Sequence, residues 1–300
     1  MKRHDHDRDV RSQDSSLLLG MSTEKRAIAS VSVVIRNRNG AGTLRRVLPA
    51  LRAQHPEAPQ IIVVDNASTD DSVAVAVEHG ATVVHLPRSE FTYGRALNLG
   101  LSHARGEVCI LLSSHSLPLG PSFVEACSRP FADPAIAAIR CVHVGKPGEL
   151  DGWTRLRRLT IESTIEEVVA AGPLANGCAI RRRVWESIPF DESVRAAEEK
   201  LWAIAVLAAG HVVVSGVPAF YAYLRTRSRA EWERRRAIEL RAVADATGLK
   251  LSYFQQSVVS VLLWDLFAAA YEGATALKDH LLAWRVRISS RIAAGRRSCR

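Results

Sequence analysis

The chain has 300 residues, 47% of them hydrophobic and 24% charged, with a net charge of +9. That is enough for one large α/β domain with a helical appendage, and it excludes a disordered or fibrous protein. The basic excess gathers in Arg-rich stretches at 155–158, 181–183, 225–241 and 285–300 and would attract phosphorylated ligands, anionic lipid or nucleic acid; aromatic residues, at 6%, are too sparse for a base-stacking platform, and no nucleic-acid motif accompanies the charge.

Residues 1–29 open on an alternating Arg/His/Asp run and read as a disordered tail. From Ser30 the chain reads as regular elements. Val31–Ile35 is a buried strand. Gly40 and Gly42 make a turn, and Leu44, Val47, Leu48 and Leu51 recur at helical spacing. Ile61–Val64 is a second strand ending at Asp65. Ser68 or Thr69 is expected to cap a helix that runs to Glu78 and stops at Gly80. Ala81–Leu86 is a third strand, Gly94–Ala104 a third helix and Val108–Leu112 a fourth strand. This β-α-β order, with continuous apolar strands, predicts an α/β fold with a mostly parallel sheet and helices on both faces. Ligands of such sheets bind at the carboxyl ends of the strands.

Beyond Pro118 the pattern is mixed. Ala135–Val144 reads as a strand, Leu156–Val169 as a helix, Asn176–Ile180 as a short strand, Ala196–Ala209 as a helix and Val212–Ser215 as a strand. From Arg229 the chain reads as amphipathic helices. The expected division is a tail (1–29), a catalytic domain (30–228, split near 118 into a first and a second half) and a C-terminal helical region (229–300). Cys109, Cys127, Cys141, Cys178 and Cys299 form no CxxC pair and no zinc spacing, so reduced, buried thiols in the cytoplasm are expected. No run reaches the ~20 apolar residues of a membrane span; Val258–Tyr271 is shorter and contains Asp265.

Two constellations carry chemistry. Val64-Asp65-Asn66-Ala67-Ser68-Thr69-Asp70 puts a carboxylate at a strand end, where it can accept hydrogen bonds from a ribose or a base; it is also a well-capped strand–turn–helix. Tyr93-Gly94-Arg95-Ala96-Leu97-Asn98 puts Arg95 and Asn98 on one face near a helix N-terminus, an end that favours phosphate; the same residues can simply solvate a helix. A dinucleotide fingerprint is missing, because Arg36–Gly42 lacks G-x-G-x-x-G.

Taken in order, Val31–Asn39, Val63–Asp70, Gly94–Gly100, Asn176–Arg182, Pro189–Glu192 and Ala197–Ala203 resemble family 2 glycosyltransferases, and within them the rhamnosyltransferase-like branch. The resemblance covers roughly Val31–Tyr223. It implies a Rossmann-like GT-A fold that takes a nucleotide-diphosphate sugar in its first half and a saccharide or lipid-linked acceptor in its second, as in polysaccharide biosynthesis. Carried over, Asn39, Asp65, Arg95 and Asn98 bind the donor, and Glu199, the second acid of the Glu198-Glu199 pair, is the base of an inverting transfer. Glu198 and Trp202 become acceptor-side candidates, although Trp202 suits a core position better.

Two positions depart from the family. Its fourth strand ends in a D-x-D motif that places Mg²⁺ or Mn²⁺ on the diphosphate; here the run is Ser113-Ser114-His115, leaving Ser113 and His115 facing the diphosphate and His115 as the sole candidate metal ligand there. The family's later His is also missing from Ala219–Arg225. An alternative is therefore a catalytically silent nucleotide-sugar-binding scaffold; a basic nucleic-acid-associated protein is a more distant one. Trp264, Phe267, Tyr271 and Trp284, with Arg-rich turns, fit a peripheral membrane face, a helical cap or an oligomer interface alike.

Overall fold

A computed structural model describes residues 30–144, 156–165, 167–168, 177–225 and 229–248. The N-terminal tail, Asn176, Cys299 and the C-terminal aromatic residues lie outside the described residues. Those through Val243 belong to one compact unit, and a second begins at Ala244. Along the chain run β1 (Val31–Asn37), α1 (Ala41–Arg52), β2 (Gln60–Asp65), α2 (Ser72–Glu78), β3 (Thr82–His85), α3 (Tyr93–Ser102), β4 (Val108–Ser113), β5 (Ser116–Pro118), α4 (Phe123–Ser128) and β6 (Ile136–Val144). β7 (Arg157–Leu159), β8 (Gly177–Arg181), α5 (Arg182–Ser187), α6 (Glu198–Ala208), β9 (Val212–Tyr223) and α7 (Arg229–Thr247) follow.

The strands form one sheet in the order β3-β2-β1-β4-β8-β6-β9-β5, with β7 beside β9. β3, β2, β1 and β4 are parallel. β8 runs against both of its neighbours, β4 and β6. β6 and β9 are parallel, with bulges. Alternating strand side chains feed two cores. Val33 and Ile35 pack with Leu44, Leu48, Val75 and Phe123 of α1, α2 and α4. Val34, Ile62 and Val64 pack with Leu97, Leu101, Val184 and Val206 of α3, α5 and α6. Both faces of the central strands are thus buried by helices, which is why those strands are continuously apolar. Each such buried aliphatic side chain contributes about 1.5–3 kcal/mol. Gly100 lets α3 lie close on the sheet: a Cβ there would sit 2.3 Å from Val34 Cγ1 and 2.8 Å from Val64 Cγ2.

Three expectations need correction. Leu156–Val169 does not begin as a helix: Arg157–Leu159 pairs antiparallel with Ser215–Val213. Only Leu159 of the three is buried, while Arg157 and Arg158 are exposed, which suits an outer strand. The helical signal starts later, where Thr164 and Glu167 close a reciprocal capping box. Second, α2 starts at Ser72 rather than after Ser68 or Thr69. The Ser68 hydroxyl bonds Asp65, and the Thr69 N–H bonds Asn39; Asp70 instead accepts from the Ser72 N–H. Third, the strand read as Val212–Ser215 extends to Tyr223, because β6 on one side and β5 on the other keep pairing with it.

The Arg181 of the Asn176–Arg182 run pins the second half of the sheet. It is buried, and its guanidinium donates to the carbonyls of Ile136, Phe131 and Asp133. It pairs in register with Val108, at the opposite end of β4 from Ser113, so its role is structural.

Candidate active site at the carboxyl edge of the sheet

β1 and β4 end side by side, with Arg36 in register with Ser113. Three helices, α1, α3 and α6, contribute their N-terminal residues around this edge. Gly40 precedes α1, where a Cβ would come 2.3 Å from Asn37 Oδ1 and 2.8 Å from Ser114 Oγ. Only a residue without a side chain lets the first turn of α1 approach the strand ends this closely.

The donor-side candidates Asn39 and Asp65 are brought together. Asp65 is buried, and its carboxylate accepts from Asn37 Nδ2 at 2.9 Å, Ser68 Oγ at 2.6 Å and the Ser68 N–H at 3.0 Å. The Asn39 N–H donates to Ser68 Oγ, and its side-chain oxygen accepts from the Thr69 N–H. Asn39 (φ 48°) and Ala67 (φ 48°) both adopt left-handed backbone. Asn tolerates that region; for Ala it is strained, and such strain concentrates at functional sites. Asp70 accepts from Ala41 and Ser72. Although desolvation pushes its carboxyl up, the hydrogen bonds from Ser72 and Ala41 outweigh that and leave it below the usual carboxylate value.

Arg95 and Asn98 do share a helix face, and both reach Glu192. Arg95 is half-exposed and bridges Glu90 and Glu192. Asn98 has a different occupation. Its amide donates to the Phe190 carbonyl and Glu192, and its oxygen accepts from Trp185 Nε1 and the Phe190 N–H. Two donors and two lone pairs are all that an asparagine amide offers, so Asn98 is fully engaged in holding the 185–192 segment.

The D-x-D position is built without carboxylates. Ser113 Oγ lies 3.1 Å from Ser116 Oγ and accepts from the His115 N–H. His115 Nδ1 is 3.4 Å from Thr43 Oγ1, and its ring meets Tyr223 edge-on at 5.9 Å. Among the described residues no group of three or more His, Cys, Asp or Glu is arranged to hold a metal ion. One imidazole and two hydroxyls are a poor donor set for a hard divalent cation, and the residues present do not fit one. The sequence reading missed His143. It stands opposite Tyr221 across β6 and β9, with ring centroids 5.4 Å from Tyr221 and 6.1 Å from Tyr223. Its place beside Tyr221 is visible only from the pairing of β6 with β9.

Glu198 and Glu199 open α6. Preceding them, Ala197 adopts φ 64°, a left-handed turn that Ala enters at a cost of about 1–2 kcal/mol. Arg36 grips both acids: Nη1 to Glu198 at 2.9 Å and Nη2 to Glu199 at 3.1 Å. All three side chains are largely buried. Arg36 also lies over the Tyr93 ring, 5.0 Å from its centroid, which links α3 to the acid pair. Burial, then the adjacent Glu198 charge, push the Glu199 carboxyl up to about 6 against the opposing pull of Arg36 and Lys200. For Arg36, burial acts downward, but Glu199 and Glu198 together leave the guanidinium above its ordinary value. The sequence assigned Arg36 no role, although an arginine at the carboxyl end of the first strand was the available signal. Trp202, a candidate for the acceptor side, belongs to the core: it is 2% exposed, packs 5.2 Å from Phe190 and donates to the Ile188 carbonyl.

Residues 30–186, just over half of the chain, match glycosyl transferase family 2. The chain belongs to this family. It is 31% identical over 83 residues to an uncharacterized glycosyltransferase of Rickettsia prowazekii, a match covering 28% of this chain and 26% of the relative. Over 67 residues it is 40% identical to an uncharacterized glycosyltransferase of Mycobacterium tuberculosis, covering 22% and 30%. The matched segments thus span under a third of those curated relatives. Solved structures resemble it more widely. Glucosyl-3-phosphoglycerate synthase from Mycobacterium tuberculosis, in complex with Mn²⁺, UDP and glucosyl-3-phosphoglycerate, aligns with a TM-score of 0.55 at 20% identity over 74% of this chain and 81% of that one. A mannosyltransferase from Pyrobaculum calidifontis, with GDP-Man and Mn²⁺, aligns with a TM-score of 0.58 at 18% identity over 80% and 71%. The family 2 chain therefore has the GT-A fold. Among its described residues no helix is long and apolar enough to cross a membrane.

Proposed function

We propose that this chain is an inverting glycosyltransferase that moves a hexosyl or deoxyhexosyl group from a nucleotide-diphosphate donor to a hydroxyl of a saccharide or lipid-linked acceptor. The observation that carries this reading is the Glu199 carboxylate, buried beside Arg36 at the edge where β1 and β4 end. As the acceptor oxygen bonds the anomeric carbon, its proton passes to Glu199. The bond from that carbon to the diphosphate breaks, and its electron pair leaves with the nucleotide. A carboxyl lifted to about 6 is poised for this at neutral pH.

Arg36 orients Glu199, and Glu198 shares its charge. The Asn39–Asp65–Ser68 platform faces the nucleotide, and Ser113 and His115 face the diphosphate. Arg95 and Asn98 serve that surface by holding the 185–192 segment. Relatives of this fold carry Mn²⁺ beside UDP or GDP-Man, which supports a nucleotide-diphosphate sugar as donor. A cytoplasmic site of action, at the inner face of a membrane, suits a lipid-linked acceptor and the basic C-terminal sequence.

The test is donor consumption with UDP-glucose, GDP-mannose and dTDP-rhamnose, each with Mg²⁺, Mn²⁺ or a chelator, for the natural chain and for Glu199→Gln. Loss of transfer in the variant with donor binding retained is the expected result; unchanged transfer would remove Glu199 as the base. A second reading, a silent nucleotide-sugar-binding scaffold, is favoured by the carboxylate-free Ser113-Ser114-His115 run. Calorimetric donor binding without transfer or hydrolysis under any of these conditions would select it.

A further inference from the structure

α7 lies beyond the residues that match the family, yet its side chains join the acid pair's network. Glu239 pairs with Lys200 Nζ at 2.6 Å and with Arg235 Nε at 2.8 Å. Arg235 then lies 5.3 Å from the Tyr93 ring centroid and reaches its hydroxyl at 3.3 Å. Tyr93 is also the ring over which Arg36 sits, and Arg36 grips Glu198 and Glu199. Because Lys200 follows Glu199 in the chain, the contacts close into a loop: Glu199, Lys200, Glu239, Arg235, Tyr93, Arg36 and back to Glu199. It contains three cations and three carboxylates with Glu198 included. None of these ion pairs is a free surface pair, since the Lys200 side chain of α6 and the Glu239 and Arg235 side chains of α7 are only 19%, 22% and 29% exposed.

We propose that Lys200, Glu239 and Arg235 are positioning residues for Glu199, and that α7 is a working part of the transfer site. This rests on the reading of Glu199 as the base. A lysine adjacent to a base stabilises its ionised form and weakens it as a proton acceptor. Glu239 engages that ammonium and so keeps its charge off Glu199, while Arg235 braces Tyr93 beneath Arg36. The charged and titratable groups around Glu199 are Arg36 on β1, Tyr93 on α3, Cys178 on β8, Tyr221 on β9, Glu198 and Lys200 on α6, and Glu239 and Arg235 on α7. Of these, Lys200 and Glu239 act on Glu199 with opposite signs.

The experiment uses the full chain with ¹³C-labelled glutamate carboxyls, the Glu199 signal being assigned by its loss in Glu199→Gln. Glu239→Gln should lower the Glu199 titration midpoint, and Lys200→Met should raise it, each by on the order of one pH unit. The acid limb of the transfer rate should move with the midpoint. The swapped pair K200E/E239K keeps the ion pair but reverses the charge beside Glu199, so it should raise the midpoint further. A role as a mere tether predicts natural behaviour for the swap. Midpoints unchanged in both single variants, or moved in the same direction, overturn the proposal. Glu239→Asp, which keeps the charge, serves as the folding control and should titrate like the natural chain. Shifted midpoints with transfer intact in Glu199→Gln would leave the coupling standing and remove the catalytic reading; an inactive Glu199→Gln with unmoved midpoints would do the reverse.

Discussion

Around Asn39, Asp65 and Asp70 the polar side chains are short, and many of their partners are backbone N–H groups of two adjoining loops. Around Glu199 the side chains are long and charged, and they come from β1, α3, α6 and α7. Both clusters sit at the carboxyl edge of one sheet. The first is a local hydrogen-bonded surface in which Asp70 is held below the usual carboxylate value, as the nucleotide-binding role proposed for it requires. In the second, desolvation and like charge push one carboxyl upward, as suits proton transfer. A binding platform can be assembled locally, whereas a tuned base needs charges delivered from distant parts of the chain.

The sharpest test of this contrast is Glu199→Gln. Transfer should fall roughly 10²–10⁴-fold, the usual contribution of a general base, while stability at pH 7 stays level or rises by up to about 2 kcal/mol. The sign follows from the raised carboxyl. Its contribution to stability is full below the unfolded glutamate pKa and is lost as pH climbs through about 6. Urea denaturation at pH 5 and 7.5 should therefore show the natural chain losing ground to the variant at the higher pH. A variant less stable than the natural chain by an amount independent of pH would break the comparison.

Arg36→Met should cost about 3–5 kcal/mol at pH 7, because it leaves two buried carboxylates uncompensated. The cost should shrink as the pH falls and Glu199 takes its proton; a small loss, flat with pH, would mean that the cluster is solvated. Next, Asn98→Ala should lower stability by about 2–3 kcal/mol, since it strands the Trp185 and Phe190 N–H groups. UDP affinity by calorimetry should change little; the opposite pattern would move Asn98 onto the donor surface. The smallest effect is expected for Ala197→Gly, a gain of about 0.5–1 kcal/mol by thermal melting as the left-handed strain is relieved.

Several parts of the site were legible before any coordinates. Asp65 at the end of an apolar strand, Arg95 and Asn98 three apart on a helix and paired acids ahead of an apolar helix are all signals within a few residues. Their partners were less legible. The Ser68 and Thr69 hydroxyls read as helix caps, yet they serve Asp65 and Asn39 across two loops. Trp202 read as core ahead of acceptor lining, and its burial against Phe190 places it in the core. His143 carried no local mark, because what gives it meaning is the strand beside it, and Arg36 carried only its place at a strand end, because its partners lie on α6.

What the sequence determined alone was the succession of strands and helices through β4 and the two-faced packing of a mostly parallel sheet, since side-chain periodicity and apolar runs depend on nearest neighbours along the chain. The placement of Asp65 and Ser113 at strand ends followed from the same periodicity. The tertiary structure decided which charges meet. Arg36 and Glu199 are separated by 163 positions and Lys200 and Glu239 by 39, and no local pattern encodes a contact at such a span. Burial, which sets how strongly those charges act on one another, exists only once the sheet and its helices have closed around them.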